Sequence, residues 1–384
     1  MNDRSFEAAA QEGVAAFQKG DFAAATLAFE KVTSAENASG HSWLVLSQCY
    51  AATGDLVRED AALDTVLAME PRNVLALIRK GEGMAKRGDD RAAVSYFNLA
   101  LSSAPTDPSP GMTASLERAA AASVAASGRF IGHLEQSLDA AGFAPARRPA
   151  LFDEAIGIMT GRMSVQVQQP TSFFYPGLPQ TSFYDPTSFA WVAAFEAAAP
   201  DIRAELFALL QAREGFHPYV EGDADRPNRG HALLNDRRWS AFDLYRGGSP
   251  VEDNARRCPA TMRALADAPL PFIPGRSPMA LFSLLEPRTH IPPHWGMLNT
   301  RLICHLPLIV PPRCRLRVGN HQRTVEPGRM MIFDDSIEHE AWNDSDEVRI
   351  VLLFEIWRPE IGEREREALT AMFAAVGDFG SASG

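Results

Sequence analysis

The sequence predicts two unlike parts: an α-solenoid of short helical hairpins, then an antiparallel β sandwich or barrel with flanking helices. Three observations carry that expectation. Residues 5–105 have Ala-rich apolar periodicity of the helical kind and little strand character. Within them a set of residues recurs at one fixed spacing. From Trp239 onward, short apolar runs alternate with Pro, Gly, Asn and Asp turns, the pattern of an antiparallel sandwich or barrel. At 384 residues the chain has room for two or three domains.

The front is periodic. Gly20-Asp21, Gly54-Asp55 and Gly88-Asp89 recur every 34 residues, and Phe29, Leu63 and Phe97 keep the same spacing. Pro71 and Pro105 do so too, each closing a helical stretch. A 34-residue period with a Gly turn between two helices is the tetratricopeptide signature. Glycine permits the tight turn, and each helix pair buries one face against its neighbours. Three repeats are about the minimum for a stable stack. The expected use is a surface for a peptide or partner protein; a helical spacer or a dimerisation element is the plainer alternative.

Ala104 to Gly111 is Pro-rich and ends the repeats. Residues 112–140 and 150–161 read as helices that cap the stack. Gln168 to Pro186 combines four prolines with five aromatics, too proline-rich for a helix and too aromatic for a free linker. It reads as an ordered arm at the entrance to the second domain. Residues 187–214 read as one amphipathic helix and 215–237 as loop. Strands are expected at 279–286, 300–310, 314–318, 322–326, 329–333, 339–342 and 347–357, followed by a charged helix over 361–376.

Composition narrows the function. A net charge of −11, with scattered basic residues, argues against a nucleic-acid partner, which needs a basic face. The first twenty residues carry acids where a signal peptide has an apolar core, and no apolar run reaches membrane-spanning length. Cytoplasmic is the expected location. Cys49, Cys258, Cys304 and Cys314 show no metal-type clustering and are expected to be reduced structural thiols. Cys304 and Cys314 are expected near each other.

The chemistry concentrates between His294 and Arg349. His294 and His339 lie 45 residues apart, each at the edge of a strand-like run, and Arg349 follows His339 by ten residues inside Val348-Arg-Ile-Val-Leu-Leu-Phe. Two imidazoles suit iron and leave positions open for substrate and oxygen. A carboxylate ligand is usual two residues after the first histidine, but that position is Gly296. Asp334 and Asp335 precede His339 in a turn, to complete the metal sphere or to orient an imidazole. His290 is a second-shell candidate; His41, His133, His217, His231 and His321 have weaker cases. A charge in an apolar strand is costly unless paired. Arg349 therefore either grips a ligand carboxylate or alternates to the solvent face.

The stretches Glu286-Pro-Arg-Thr-His-Ile-Pro-Pro-His-Trp-Gly, Asn299-Thr-Arg-Leu, His305-Leu, Ile332-Phe-Asp-Asp-Ser, Glu338-His-Glu-Ala-Trp and Ile356-Trp-Arg-Pro-Glu make residues 165–360 resemble the aspartyl/asparaginyl β-hydroxylase family. That resemblance implies an iron(II)- and 2-oxoglutarate-dependent oxygenase, using O2, on a double-stranded β-helix of jelly-roll or cupin type. It places the iron on His294 and His339, with glycine where the carboxylate ligand would be. It assigns Ser283 and Arg349 to the far carboxylate of 2-oxoglutarate, His305 to the co-substrate region, Arg301 to the active-site face, and Trp239 to the wall of the site. One position departs: a second arginine expected two residues after Arg301 is Ile303. The layout that follows is 1–105 tetratricopeptide repeats, 106–165 helical linker or cap, 166–361 the β-hydroxylase-like domain, and 362–384 a C-terminal helix and tail. The expected activity is hydroxylation of an Asp or Asn side chain in a peptide or protein. The same chemistry on a small molecule or lipid acyl chain stands beside it, as does a non-catalytic scaffold.

Overall fold

A computed structural model describes residues 3–212, 215–222 and 230–381. The chain divides into two compact units, Met1–Arg162 and Met163–Gly384.

The first unit is all helical: α1 (Asp3–Gln18), α2 (Phe22–Thr33), α3 (Gly40–Thr53), α4 (Leu56–Met69), α5 (Val74–Lys86), α6 (Asp90–Ser102), α7 (Pro110–Ala140) and α8 (Ala150–Met159). The first six form three hairpins, and the recurring Gly-Asp pair explains each turn. Gly20, Gly54 and Gly88 take left-handed φ of 77°, 80° and 80°, where a Cβ is costly. The following aspartate then caps the next helix, accepting a backbone N–H from Ala24, Arg58 or Ala92. Phe29, Leu63 and Phe97 are buried between the hairpin partners. A further 34-residue series, Gly13, Ser47 and Gly81, was not read from the sequence. A Cβ on Gly13 would meet the Phe29 ring at 2.8 Å, and one on Gly81 the Phe97 ring at 2.6 Å. Where the large residue is Leu63, the small partner can be Ser47. Helix α7 packs on α5 and α6, so the expected linker helices belong to this unit.

The second unit contains β1 (Phe183–Tyr184), α9 (Val192–Ala197), α10 (Ala199–Ala212), β2 (His217–Pro218), β3 (Trp239–Arg246), β4 (Ser249–Pro250), α11 (Glu252–Arg257), α12 (Pro259–Ala266), β5 (Ala280–Leu285), β6 (Thr289–His294), β7 (Arg301–Ile309), β8 (Cys314–Val318), β9 (His321–Thr324), β10 (Met331–Phe333), β11 (His339–Asn343), β12 (Arg349–Trp357) and α13 (Glu363–Ser381). The named strands pair antiparallel in two sheets. One has the order β1-β10-β7-β12-β5-β3-β2, with β4 on β3; the other is β6-β11-β8-β9.

Alternation along β12 assigns the faces of the larger sheet. Ile350, Leu352, Phe354 and Ile356 pack with Ile202, Leu206 and Leu265 of the helices on one side. Val351 and Leu353 join Ile303, Phe333, Leu316 and Ala341 on the other, between the sheets. Arg349 and Glu355 share this second parity, so both side chains face the interior.

Several expectations change. The helix over 187–214 is two helices, α9 and α10, because Pro200 supplies no N–H and restarts the helix in its first turn. Residues 213–214 and 223–229 of the expected helix and loop lie outside the described residues. Strands β1 to β4 and β6 are additional to the expected set, β6 because Pro292-Pro293 masks its strand pattern. It is an edge strand, and the two prolines fall in a bulge of its pairing with β11, where a missing N–H costs no ladder bond. Cys304 and Cys314 do not meet: they lie in different core clusters on opposite faces of the larger sheet. All four cysteines are free and buried. The aromatic arm is ordered: Thr171, Ser172 and Phe173 donate backbone N–H bonds to Gly296 and Met297, and β1 adds to β10. Among the described residues no helix is long and apolar enough to cross a membrane.

Candidate active site

The two histidines meet through strand register. The bulge in β6 sets His294 directly opposite His339, whereas Ile291 pairs with Ala341. The ring centroids stand 4.1 Å apart. Each Nδ1 lies against a carbonyl oxygen, His294 on Pro292 at 2.8 Å and His339 on Ile337 at 3.1 Å. A carbonyl only accepts, so each Nδ1 carries the proton and each Nε2 keeps its lone pair, as a metal requires. Burial, with the neighbouring imidazole, pushes His294 down to about 3, and burial pushes His339 down to about 4. Both are therefore neutral at ordinary pH.

They open into a cavity of about 450 Å³ between the sheets. At one end lies Arg349, 1% exposed, with no carboxylate beside it among the described residues and an Nε without any partner. Burial pushes its guanidinium down to about 10. Ser283 faces the same space from β5, and the Trp239 indole donates to its hydroxyl at 3.1 Å, leaving the Ser283 hydrogen free for another acceptor. Trp239 is held flat by Tyr219, with rings 3.9 Å apart and 8° from parallel. His305 stands edge-on to Phe333 at 4.9 Å; burial, then the Arg349 charge, hold it well below the usual histidine range.

The far end is different. Glu355 sits six residues further along β12, roughly 20 Å away at about 3.3 Å per residue. It is paired in register with Ile303. Arg301 is held by Glu355 and by Asp335, the latter at 3.2 Å. Among the described residues, one oxygen each of Asp335 and Glu355 has no donor. Burial raises the Asp335 carboxyl, against the pull of Arg301.

Gly296 has a steric explanation. A Cβ there would lie 2.1 Å from Asp335 Oδ2, so the Asp335 carboxylate fills the space a side chain would take. Asp334, its neighbour, is structural: it accepts from Arg358, Gln168 and Ser336 at the foot of the arm. His290 also leaves the site. It lies on the outer face of its sheet, stacked on Trp342 at 4.9 Å and bonded to Glu340 at 2.8 Å, because it falls on the opposite parity of β6 from Ile291.

The structure thus gathers His294, His339, Arg349, Ser283, His305, Arg301 and Trp239 around one cavity. Glu355 and Tyr219 were absent from the sequence-based expectation, and His231 and His217, given weaker cases there, both line the cavity, His217 bonding Asp243 at 3.1 Å. Glu355 was readable, since it shares strand parity with Arg349. His231 and Tyr219 sit in irregular segments and left no pattern. Among the described residues no group of three or more His, Cys, Asp or Glu is arranged to hold a metal; the arrangement is a pair.

Comparison with known proteins gives the same family as the residues. Residues 196–359 match the family model described as aspartyl/asparaginyl beta-hydroxylase. The ornithine lipid ester-linked acyl 2-hydroxylase of Rhizobium tropici is 34% identical over 229 residues, 59% of this chain and 76% of that protein. The human aspartyl/asparaginyl beta-hydroxylase is 26% identical over 349 residues, 90% of this chain but only 41% of that protein, so this chain spans less than half of the human relative. A crystal structure of PcrH in complex with the chaperone binding region of PopD aligns with 34% of this chain and 96% of PcrH, at 20% identity and a TM-score of 0.31. On the family model and the Rhizobium relative, the chain belongs to the aspartyl/asparaginyl β-hydroxylase family.

Proposed function

We propose that the chain is an iron(II)- and 2-oxoglutarate-dependent dioxygenase that hydroxylates a methylene next to a carbonyl group. Arg349 carries the proposal. A guanidinium 1% exposed and without a carboxylate partner among the described residues is costly unless a ligand brings the anion, and a dicarboxylate co-substrate does so. It shares a cavity with two neutral imidazoles whose lone pairs are free. The two antiparallel sheets facing across that cavity support a double-stranded β-helix of jelly-roll kind.

His294 and His339 would hold the metal through Nε2. Arg349 and the Ser283 hydroxyl would take the far carboxylate of 2-oxoglutarate, with Trp239 fixing the hydroxyl. Asp335, in the space that Gly296 leaves, would orient groups that bind beside His294. Ile303, Leu316, Phe333 and Leu353 wall the cavity and exclude water. Bound together, iron(II), 2-oxoglutarate and O2 supply the oxidant that replaces C–H by C–OH, with succinate and carbon dioxide as by-products.

The substrate class follows from what the reactions named for the relatives share. The β carbon of an aspartyl or asparaginyl residue and C2 of an acyl chain each lie next to a carbonyl carbon. An Asp or Asn side chain of a peptide or protein is the first reading, with the helical repeats presenting the partner on their surface. An ester-linked acyl chain is the second, favoured by the apolar Ile303 beside Glu355 and by the 34% identity to the Rhizobium protein. Four free cysteines suit a cytoplasmic site of action.

The test is succinate release by the full chain with iron(II), 2-oxoglutarate and either Asn/Asp peptides or acyl esters, with the product weighed for one added oxygen. Substrate-stimulated succinate and a +16 Da product are expected, both absent in His294→Ala. No stimulation by any of these substrates would sink the proposal.

A further inference from the structure

We infer that His231 is the hydrogen-bond donor that holds the carbonyl oxygen of the substrate beside the His294–His339 pair. The inference deepens the function proposed above and rests on it. His231 lines the same cavity. Its ring is perpendicular to His294, at 88° with centroids 5.9 Å apart, and 5.8 Å from Trp239.

The backbone decides its role by the same logic that made the other two imidazoles ligands, with the opposite result. His231 Nδ1 lies 3.1 Å from the Leu233 backbone N–H. An N–H only donates, so Nδ1 must accept and the ring proton sits on Nε2. That Nε2–H is buried and has no partner among the described residues. It offers no lone pair to a metal; it offers a donor. A buried donor left unpaired costs free energy that a ligand acceptor recovers.

The other donors of the cavity are mostly committed. Trp239 donates to Ser283, Arg301 is held between Asp335 and Glu355, and His217 is paired with Asp243. Arg349 and Ser283 belong to the co-substrate end. Trp295 Nε1 and the Nε groups of Arg301 and Arg349 are also buried in the cavity without a partner among the described residues; the two arginines are placed by their other contacts and roles, and Trp295, the neutral one, serves as the control. A neutral N–H beside the ligand pair suits an oxygen one carbon away from the methylene to be oxidised: an amide, carboxyl or ester carbonyl.

The test uses the full chain with manganese(II), 2-oxoglutarate and no oxygen, and measures binding by calorimetry. Two matched probe pairs are compared: N-acetylasparagine methylamide against its norvaline analogue, and methyl octanoate against methyl octyl ether. One hydrogen bond predicts that wild type prefers the carbonyl member of one pair by about three- to tenfold. That pair identifies the source, an asparaginyl-type side chain or an acyl ester. The preference should fall below twofold in His231→Phe, survive in His231→Gln, which retains an N–H donor, and survive in Trp295→Phe. Circular dichroism checks that each variant is folded. If His231→Phe keeps the preference, if Trp295→Phe loses it instead, or if wild type binds both members equally, His231 is not the donor. If wild type binds no probe at all, the proposed function itself fails.

Discussion

Replacing Arg349 by Met should make the ligand-free protein more stable and blind to 2-oxoglutarate. Met fills much of the volume of the arginine stem without its charge. Burial, with no carboxylate partner among the described residues, pushes the guanidinium well below the usual arginine range, to about 10. At about 1.4 kcal/mol per pH unit, that disfavours the charged arginine in the fold by about 3 kcal/mol. Losing the charge should recover a part of this, and about 2–4 °C per kcal/mol applies for a unit of this size. The ligand-free Arg349→Met chain should therefore melt several degrees higher than wild type. With 2-oxoglutarate at a hundred times its dissociation constant, wild type should gain about 2.7 kcal/mol by mass action, and Arg349→Met nothing. Differential scanning calorimetry with and without 2-oxoglutarate, on metal-loaded protein, reads both effects. A variant that melts lower than wild type and still responds to 2-oxoglutarate would refute the reasoning, since it would mean that Arg349 is paired within the protein and is not waiting for a ligand.

Gly296→Ala places a Cβ 2.1 Å from Asp335 Oδ2; metal affinity, measured by titration, should fall about tenfold or more, and Gly296→Ala/Asp335→Ala should recover the melting temperature that the single variant loses. Two glycines of α5 should respond with opposite signs. Gly81→Ala meets the Phe97 ring at 2.6 Å and should destabilise by about 1–2 kcal/mol, whereas at Gly83 only the flexible end of Arg87, at 3.7 Å, is near and alanine should stabilise by about 0.5–1 kcal/mol; chemical denaturation of the full chain separates them. His294 and His339, pushed down to about 3 and about 4, stay neutral in the fold while the unfolded chain protonates near 6.5. The stability they contribute is thus complete above that pH and is lost as pH falls toward 4, with a slope approaching 1.4 kcal/mol per pH unit for each histidine. Metal-free His294→Gln should show a shallower loss of stability between pH 6.5 and 4.5 than wild type.

Much of the site was readable in the chain because the family motifs lie at strand ends, where alternation alone says which residues share a face. Arg349 and Glu355 are of one parity on β12, and His294 and His339 each end a strand-like run. The 34-residue repeat was legible for a local reason as well. Gly54 needs a left-handed φ and Asp55 a helix N-terminus, and both demands act on neighbouring residues.

What only the tertiary structure decided is non-local. The bulge at Pro292-Pro293 brings His294 opposite His339, and no strand carries in its own residues the register of its partner. The vacancy at Gly296 has meaning only because the Asp335 carboxylate, 39 positions away, occupies it. His231 and Leu233 are close in sequence, but whether Nδ1 meets an N–H or a C=O depends on how the loop is folded against Trp239, and that choice separates a donor from a metal ligand. Strand parity and turn chemistry are properties of a short stretch of chain; pairing, burial and the protonated edge of an imidazole are set by what the rest of the molecule places beside it.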